Sequence, residues 1–294
     1  MDREIRSKGI GGSEVAAILG VSEWSSPYQV WLDKTGRNGE NMDNKYMYAG
    51  RLLESAVAKY FASETGYRVI KSSAVEKTYQ HPKYPFVIGT PDRTYFAKNL
   101  GKGVLECKTT QRRIDDVPMS WFTQLQWYLG LLELTNGSVA WLERGVDFGY
   151  KEYEFDRSFW EYALNAVGEF WENNVLKDIP PDPINVEDVE AIFSRHTEGK
   201  VYFATPDMVV NHQRIRTLIE AIKELESERD GLVEKIKLEM QDAEAIMYNE
   251  YPLFTWKAPK ESFRIDGEKL KEMYPDAYND CLTRIKTTRR FLIK

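Results

Sequence analysis

Residues 89–109 of the chain read GTPDRTYFAKNLGKGVLECKT. β-Branched and aromatic residues between turn signals predict two neighbouring strands here, one over about residues 86–96 and the other over 103–109. Pro91 has no backbone N–H to donate, so it bends or ends the first strand just before Asp92. An earlier strand predicted over residues 68–79 completes a three-strand meander.

The second of these strands places an acid and a base on one face. Alternate side chains of a strand point to opposite sides, so Glu106 and Lys108 share a face and Cys107 points away, as a core residue does. Asp92 adds a carboxylate from the neighbouring strand. Two carboxylates and an ammonium suit Mg²⁺ and phosphodiester hydrolysis, with Asp92 and Glu106 anchoring the ion and Lys108 holding or deprotonating the attacking water.

An acid two residues before a lysine is a weak pattern alone. It occurs three times, at Asp43-Asn-Lys45, Glu106-Cys-Lys108 and Glu198-Gly-Lys200. Only Glu106 lies in an apolar, strand-like segment, whereas the outer two lie among Asn, Gly and exposed charges typical of loops. A surface salt bridge between Glu106 and Lys108 is the alternative, but it leaves the Gly-Thr-Pro-Asp92 turn unexplained.

The flanking segments predict interleaved helices and strands, which favour a mixed sheet flanked by helices over a bundle or a sandwich. Helices are predicted over 12–20 (with Ser13 as N-cap), 27–36, 44–65, 118–134 and 157–176, and further strands over 138–144 and 149–155. Closely spaced prolines in residues 179–183, IPPDP, indicate a boundary. The predicted domains are therefore residues 1–180 and a C-terminal extension, 181–294.

The extension contains a long amphipathic helix. Its apolar positions are three and four residues apart, interrupted by Arg229: Ile215, Leu218, Ile222, Leu225, Leu232 and Ile236. The favoured interpretation is a helix that lays this stripe on its own domain or folds into a hairpin. The alternative is an intermolecular coiled coil.

Composition limits the class of protein. A chain of 294 residues with 42% hydrophobic residues can bury a sizeable core, and its net charge of −6 restricts any DNA site to a local patch. Two cysteines, Cys107 and Cys281, are too few for a disulfide framework or an iron–sulfur cluster. No apolar run approaches the roughly 20 residues that span a bilayer, and the start of the sequence lacks a signal peptide's apolar stretch. We expect a cytoplasmic protein without a membrane partner.

Asp92 followed by Glu106-Cys-Lys108 resembles the PD-(D/E)xK nuclease motif. The surrounding segments are similar to those of the lambda-exonuclease, YqaJ-type viral recombinase family. Its early Gly-rich, Ser-containing turn resembles Gly9-Ile-Gly-Gly-Ser13, its Gly-x-x-x-Glu helix resembles Gly50-Arg-Leu-Leu-Glu54, and its later Gln-x-Gln helix resembles Gln124-Leu-Gln126. This resemblance implies an α/β (α+β), restriction-endonuclease-like core with a helical C-terminal extension.

The resemblance also implies roles at the site. Glu54 adds a metal-site carboxylate, so the predicted ligands of Mg²⁺, or of Mn²⁺ as the alternative, are Asp92, Glu106, Glu54 and the backbone carbonyl of Cys107. A glutamine supports the catalytic lysine. Residues two apart on a helix diverge by about 200°, so only one of the two candidates, Gln124 and Gln126, faces the site, and the sequence leaves both open.

DNA contacts are implied in two places. Arg6 and Ser13 match a pocket for the 5′-phosphate of the digested strand, since a guanidinium and a hydroxyl suit a phosphate; a plain helix N-cap is an equal alternative for Ser13. Arg112 and Arg113 follow the motif strand and are predicted to meet the DNA backbone, with a solvated face as the alternative.

One region departs from the family pattern. Lambda exonuclease has a further acidic residue before the Pro-Asp turn, whereas residues 79–86 here read YQHPKYPF and contain no carboxylate. His81 in this segment either stands near the metal or, as the favoured interpretation, is an ordinary turn residue. The number of metal ions is left open.

The leading hypothesis is a magnesium-dependent 5′-to-3′ exonuclease that digests one strand of linear double-stranded DNA to mononucleotides for phage-type recombination. The family implies action on DNA ends in the bacterial host cytoplasm, a single-strand annealing protein as partner, and a homo-oligomer, specifically a trimer. The alternatives are an endonuclease on the same fold and a non-catalytic DNA-binding module.

Overall fold

The computed structural model describes residues 8–38, 45–71, 78–283 and 289–293. The chain divides into two units, the first ending at Phe193 and the second beginning at Ser194. No helix in these described ranges is both long enough and apolar enough to cross a membrane.

The first unit combines helices with a central sheet. Its helices are α1 (Gly12–Ile18), α2 (Pro27–Lys34), α3 (Lys45–Thr65), α4 (Met119–Leu132), α5 (Arg157–Phe170), which continues as a π-helical turn over Trp171–Val175, and α6 (Val186–Ile192). Its strands are β1 (Arg68–Lys71), β2 (Tyr79–Gln80), β3 (Ile88–Gly89), β4 (Arg93–Ala97), β5 (Gly101–Thr110), β6 (Asn136–Glu143) and β7 (Asp147–Glu154).

The main sheet has the strand order β1-β4-β5-β6-β7. Strands β5 and β6 run parallel, and the other neighbouring pairs run antiparallel. Helix α4 makes the crossover that a parallel pair requires. The predicted mixed sheet flanked by helices is therefore confirmed.

Strand β5 lies at the centre of this sheet, and its two faces pack against different helices. Val104 belongs to the core cluster that contains α1, α4 and α5, whereas Leu105 belongs to the cluster that contains Val57 and Phe61 of α3. Cys107 packs on the same cluster as Leu105. Since side chains alternate along a strand, Glu106 and Lys108 lie on the α4 face.

Two predicted strands are each divided in the structure. The segment predicted over residues 86–96 becomes β3 and β4, which belong to different sheets because Pro91 interrupts the ladder between them. The segment predicted over 68–79 likewise supplies β1 to the main sheet and the beginning of β2 to a two-stranded sheet with β3, while residues 72–77 lie outside the described residues.

The boundary between the units follows α6, whereas the predicted boundary lies at residue 180, before this helix. Asp188 of α6 is completely buried and accepts a hydrogen bond from Ser26 Oγ at 2.6 Å. Ser26 also caps α2 by accepting from Gln29 N. The chain after the proline-rich segment thus still packs on the first unit through a buried side chain.

The second unit contains α7 (Pro206–Met240), the hairpin strands β8 (Ala245–Tyr248) and β9 (Tyr251–Thr255), and the short helices α8 (Gly267–Met273) and α9 (Pro275–Asp280). Helix α7 is continuous over 35 residues, so the hairpin alternative for this segment is wrong. Leu218, Ile222 and Leu225 of its apolar stripe are 43%, 55% and 65% exposed, so the stripe is not laid on its own unit.

Candidate active site

A chain of hydrogen bonds joins the Pro-Asp turn to β5. The backbone N–H of Cys107 donates to Asp92 Oδ2 at 2.8 Å, and the backbone N–H of Asp92 donates to Glu106 Oε1 at 3.4 Å. Lys108 Nζ donates to Glu106 Oε2 at 3.1 Å. Glu106 has no exposed surface and Lys108 is largely buried, so the structure brings the three predicted residues together below the protein surface.

Of the two glutamines, Gln124 contacts the lysine. Its Oε1 accepts from Lys108 Nζ at 2.7 Å, and its Nε2 donates to the hydroxyl of Tyr128 at 3.4 Å. Gln126 is buried elsewhere: its Nε2 donates to the carbonyl of Glu154, and its Oε1 accepts from the backbone N–H of Asp156. Gln124 therefore holds the ammonium, while Gln126 fastens α4 to the segment that joins β7 to α5.

Burial and charge act together on the titratable groups. Burial, and secondarily the charge of Asp92, raises the pKa of Glu106 to about 8. Burial also raises the pKa of Asp92, against the opposing effect of Lys108. Burial alone would lower the pKa of Lys108, but the carboxylates of Glu106 and Asp92 outweigh it and raise that pKa. Lys108 is thus an ammonium that donates hydrogen bonds.

Two adjacent carboxylates with raised pKa values form a donor set that fits a hard divalent cation. Asp92 and Glu106 would hold Mg²⁺, with the backbone carbonyl of Cys107 as a further oxygen ligand. Across the described ranges, no group of three or more His, Cys, Asp or Glu side chains is arranged to hold a metal. Mg²⁺ commonly uses only one or two carboxylates and completes its shell with water and substrate phosphate, so this set is sufficient.

Glu54, the further metal ligand that the resemblance implies, has an arginine as its partner. In the structure its Oε1 accepts from the guanidinium of Arg93, the residue after Asp92. Arg93 is not among the site residues predicted from the sequence. A signal exists in the sequence nonetheless, because an arginine at the start of an apolar strand, RTYFA, needs a buried partner.

Cys107 is not placed as a nucleophile. Its side chain packs on the cluster that contains Leu105, Val57 and Phe61, here called the α3-side cluster. Burial, together with the charges of the neighbouring carboxylates, raises the pKa of its thiol. His81 is buried in the loop before the turn, where its Nδ1 accepts from the backbone N–H groups of Lys83 and Tyr84 at 3.1 and 3.2 Å. That nitrogen therefore serves the loop's own backbone.

Ser13 lies in the first turn of α1 and is not its N-cap, since Gly11 occupies that position. The N–H of Gly11 donates instead to Glu14 Oε2 at 2.7 Å. Ser13 lines a small cleft together with residues of β3 and with Tyr128. Arg6, its predicted partner in the 5′-phosphate pocket, lies outside the described residues.

The two arginines after the motif strand are exposed. Arg112 forms an ion pair with Glu23 and lies over the ring of Trp24 at 5.5 Å. Arg113 forms an ion pair with Asp115 at 3.0 Å. Both guanidinium groups are at the surface beyond the end of β5.

The amino-acid sequence is similar to that of a known protein family. A family model described as the YqaJ-like viral recombinase domain matches residues 3–135. The protein YqaJ of Bacillus subtilis (strain 168) is 35% identical over 303 residues, which cover 98% of this chain and 92% of that protein.

Solved structures are more distant. The alkaline exonuclease LHK-Exo from Laribacter hongkongensis has 14% identity and a TM-score of 0.47, covering 60% of this chain and 92% of that chain. A phage-related exonuclease from Haemophilus somnus 129PT has 12% identity and a TM-score of 0.42, covering 60% and 99%. The near full-length relationship to the Bacillus protein and the match to the family model confirm the resemblance seen in the motifs: the chain belongs to the YqaJ-like viral recombinase domain family.

Proposed function

We propose that this chain is a metal-dependent 5′-to-3′ exonuclease that digests one strand of linear double-stranded DNA to mononucleotides. The observation that carries the proposal is the position of Lys108 Nζ, 3.1 Å from Glu106 Oε2 and 2.7 Å from Gln124 Oε1. A lysine held between a buried acid and an amide, beside a second acid, is suited to hydrolysis of a phosphodiester. The family's description as a viral recombinase domain supports a role in DNA recombination.

Each residue has a distinct task in this proposal. Asp92 and Glu106 would hold Mg²⁺, and the bound ion would supply polarisation of a phosphoryl oxygen and a lowered pKa for water. Lys108 presents its ammonium to the attacking water or the reacting phosphate. Gln124 fixes that ammonium by accepting a hydrogen bond from it through Oε1, and its own Nε2 donates to the hydroxyl of Tyr128.

The family resemblance supports the finer parts of the proposal. These are the 5′-to-3′ polarity, a 5′-phosphate pocket that uses Arg6 and Ser13, and transfer of the single strand to an annealing protein in the cytoplasm of a bacterial host. Assembly of the chain as a homotrimer belongs to the same set. The site chemistry supports the hydrolysis itself and is independent of them.

One digestion experiment tests the proposal. Linear duplex DNA with and without a 5′-phosphate and a covalently closed circle are incubated with Mg²⁺ and then with EDTA. We expect metal-dependent release of mononucleotides from the phosphorylated linear DNA, with the circle left intact. Cutting of the circle would identify an endonuclease, and no hydrolysis of any substrate would favour a non-catalytic DNA-binding module.

Substitution of the lysine tests the chemistry. Lys108→Ala is expected to reduce hydrolysis by about 100-fold or more, the usual range for loss of one preorganised donor at a reacting centre. Lys200→Ala is the matched control, because Lys200 ends the exposed triplet Glu198-Gly-Lys200 and repeats the motif spacing. Equal activity of Lys108→Ala and the control would rule out the proposed role.

A further inference from the structure

Arg93 lies where α3 meets the Pro-Asp turn. Besides its ion pair with Glu54, its Nη1 donates to the backbone carbonyl of Asp92 at 2.5 Å, and its Nη2 donates to Ser55 Oγ at 3.4 Å. The side chains of Arg93 and Glu54 are 11% and 24% exposed. One guanidinium therefore joins two residues of α3 to the turn that carries Asp92.

The sheet register sets this pair apart from the predicted metal ligands. Arg93 is paired with Leu105 across β4 and β5, and residues directly opposite each other share a face. Leu105 belongs to the α3-side cluster, so Arg93 extends to the α3 face. Glu106 is the next residue along β5 and extends to the α4 face, towards Gln124.

The charges of Arg93 and Glu54 also argue that Glu54 is separate from the metal ligands. A guanidinium stays protonated at any ordinary pH, so a largely buried Arg93 needs its carboxylate partner. Movement of Glu54 to a metal ion would leave the arginine buried without that partner, which is strongly unfavourable. Glu54 is also absent from any cluster of three or more metal-ligating side chains among the described residues.

Residues 79–86, the described loop before the turn, offer no replacement carboxylate. Nδ1 of His81 accepts two backbone N–H groups of its own loop. Among the residues that the structure describes, the acids at this place that remain available to a divalent cation are then Asp92 and Glu106. Such a set suits one ion, completed by water and by phosphate.

We infer that Glu54 is the charge partner of Arg93 and not a metal ligand, so that the site binds a single divalent ion through Asp92 and Glu106. Arg93 is a positioning residue: it holds the Asp92 turn on α3. The inference rests on the proposed metal-dependent function and adds to it the number of ions and the role of Glu54.

Mn²⁺ binding to the full chain without DNA tests the number of ions. Wild type, Glu54→Gln and Asp92→Asn are compared by titration calorimetry and by the electron paramagnetic resonance signal of free Mn²⁺. We expect one ion per chain in wild type, a Kd within about threefold of it for Glu54→Gln, and a Kd more than tenfold weaker for Asp92→Asn. Two ions in wild type, or a Glu54→Gln variant as weak as Asp92→Asn, would overturn the inference.

Thermal unfolding without metal tests the pair itself. Arg93→Met should lower the Tm, and Glu54→Gln added to it should raise the Tm again, because the second change removes the unpaired carboxylate. Strictly additive losses would show that the two residues are not partners. If wild type bound no Mn²⁺, the proposed metal-dependent function would fall together with the single-ion site, while this unfolding comparison would still decide the pairing.

Discussion

Glu106 is an acid with no exposed surface, placed beside a second acid. Burial of a carboxylate disfavours its charged form, and a neighbouring negative charge disfavours it further. The ammonium of Lys108 compensates only in part, since the pKa of Glu106 remains at about 8. A divalent cation would supply the missing positive charge. Without the cation, protonation of Glu106 removes the unfavourable negative charge, so the stability of the metal-free protein should depend on pH.

This sensitivity gives a prediction for Ca²⁺, which takes the same oxygen ligands. The pKa of Glu106 in the folded chain is raised above its ordinary value of 4.5, so the folded state binds the proton more tightly than the unfolded state. Stability from this group is therefore lost as pH rises from about 4.5 to about 8. Bound Ca²⁺ opposes that loss, and the increase in Tm on adding Ca²⁺ should be larger at pH 8 than at pH 6.

Glu106→Gln provides the control, because the amide neither titrates nor binds the cation well. Its Tm should show little change with Ca²⁺ at either pH. Differential scanning fluorimetry of both chains at pH 6, 7 and 8 is sufficient. An equal Ca²⁺ effect on wild type at all three values would argue against a titrating ligand at this position.

Arg112 and Arg113 lead to a prediction for DNA affinity. Each exposed guanidinium that meets a phosphate displaces about one counterion, so Arg112→Ala or Arg113→Ala should weaken duplex binding and reduce the slope of log K against log salt by about 1. Fluorescence anisotropy with Ca²⁺ in place of Mg²⁺ measures both quantities. Arg229→Ala is the control, because Arg229 of α7 has similar exposure and a similar acidic neighbour, Asp230. Equal losses for the control would exclude a specific contact.

At the site, the arrangement of residues close in sequence was predictable, whereas contacts between residues distant in sequence were not. The shared face of Glu106 and Lys108 follows from the two-residue period of a strand. To choose Gln124 over Gln126, one must know how α4 is rotated about its own axis. The sequence around the two glutamines does not determine that rotation. Arg93 was missed because its partner, Glu54, lies 39 residues earlier on a helix whose position no local pattern reveals.

At the scale of elements, the contact between α1 and α4 explains part of the Gly-Ile-Gly-Gly-Ser segment. A Cβ added to Gly12 would lie 2.8 Å from the ring of Tyr128 and 3.0 Å from Cγ of Gln124. These distances are shorter than side-chain contacts tolerate, so the two helices approach this closely only with glycine at residue 12. The residue therefore affects the glutamine that holds Lys108.

Gly12→Ala should consequently affect both stability and catalysis. Overpacking of this kind costs about 1–3 kcal/mol, and displacement of Gln124 should lower the hydrolysis rate more than DNA affinity. Gly11→Ala is the matched control, because the nearest atom to its added Cβ is Glu14 Oε2 at 3.6 Å, an ordinary contact. Thermal unfolding and steady-state kinetics of both variants separate the two effects. Similar behaviour of the two variants would contradict the packing argument.

Element types were more predictable than their pairing. The periodicity of residues 118–134 and 157–176 gave helices that the structure contains as α4 and α5. The division of residues 86–96 between two sheets depends on which partner each half finds, a tertiary property. The N-cap of α1 was misassigned to Ser13 because the side chain of Glu14 accepts a hydrogen bond from the N–H of Gly11 and so caps the helix two residues earlier than the serine suggests.

At the scale of the whole molecule, helix α7 has few contacts to explain its length. An isolated helix gains most of its stability by packing an apolar face. Here Ile215, Leu218, Ile222 and Leu225 are between 37% and 65% exposed. The continuous helix excludes the hairpin, and the exposed stripe excludes packing on its own unit. Of the interpretations made from the sequence, the intermolecular coiled coil remains.

The exposed stripe and the homotrimer implied by the family resemblance together predict the mass of the assembly and its dependence on α7. Light scattering of the intact protein should give about three times the chain mass of 34.2 kDa. If α7 contributes to assembly, Ile222→Glu with Leu225→Glu should lower the measured mass, because charges in an apolar seam are unfavourable. Lys223→Glu with Ser227→Glu is the control on the same helix, since neither residue belongs to the stripe. A wild-type monomer would eliminate the trimer, and a trimer that survives the stripe substitutions would assign assembly to another surface.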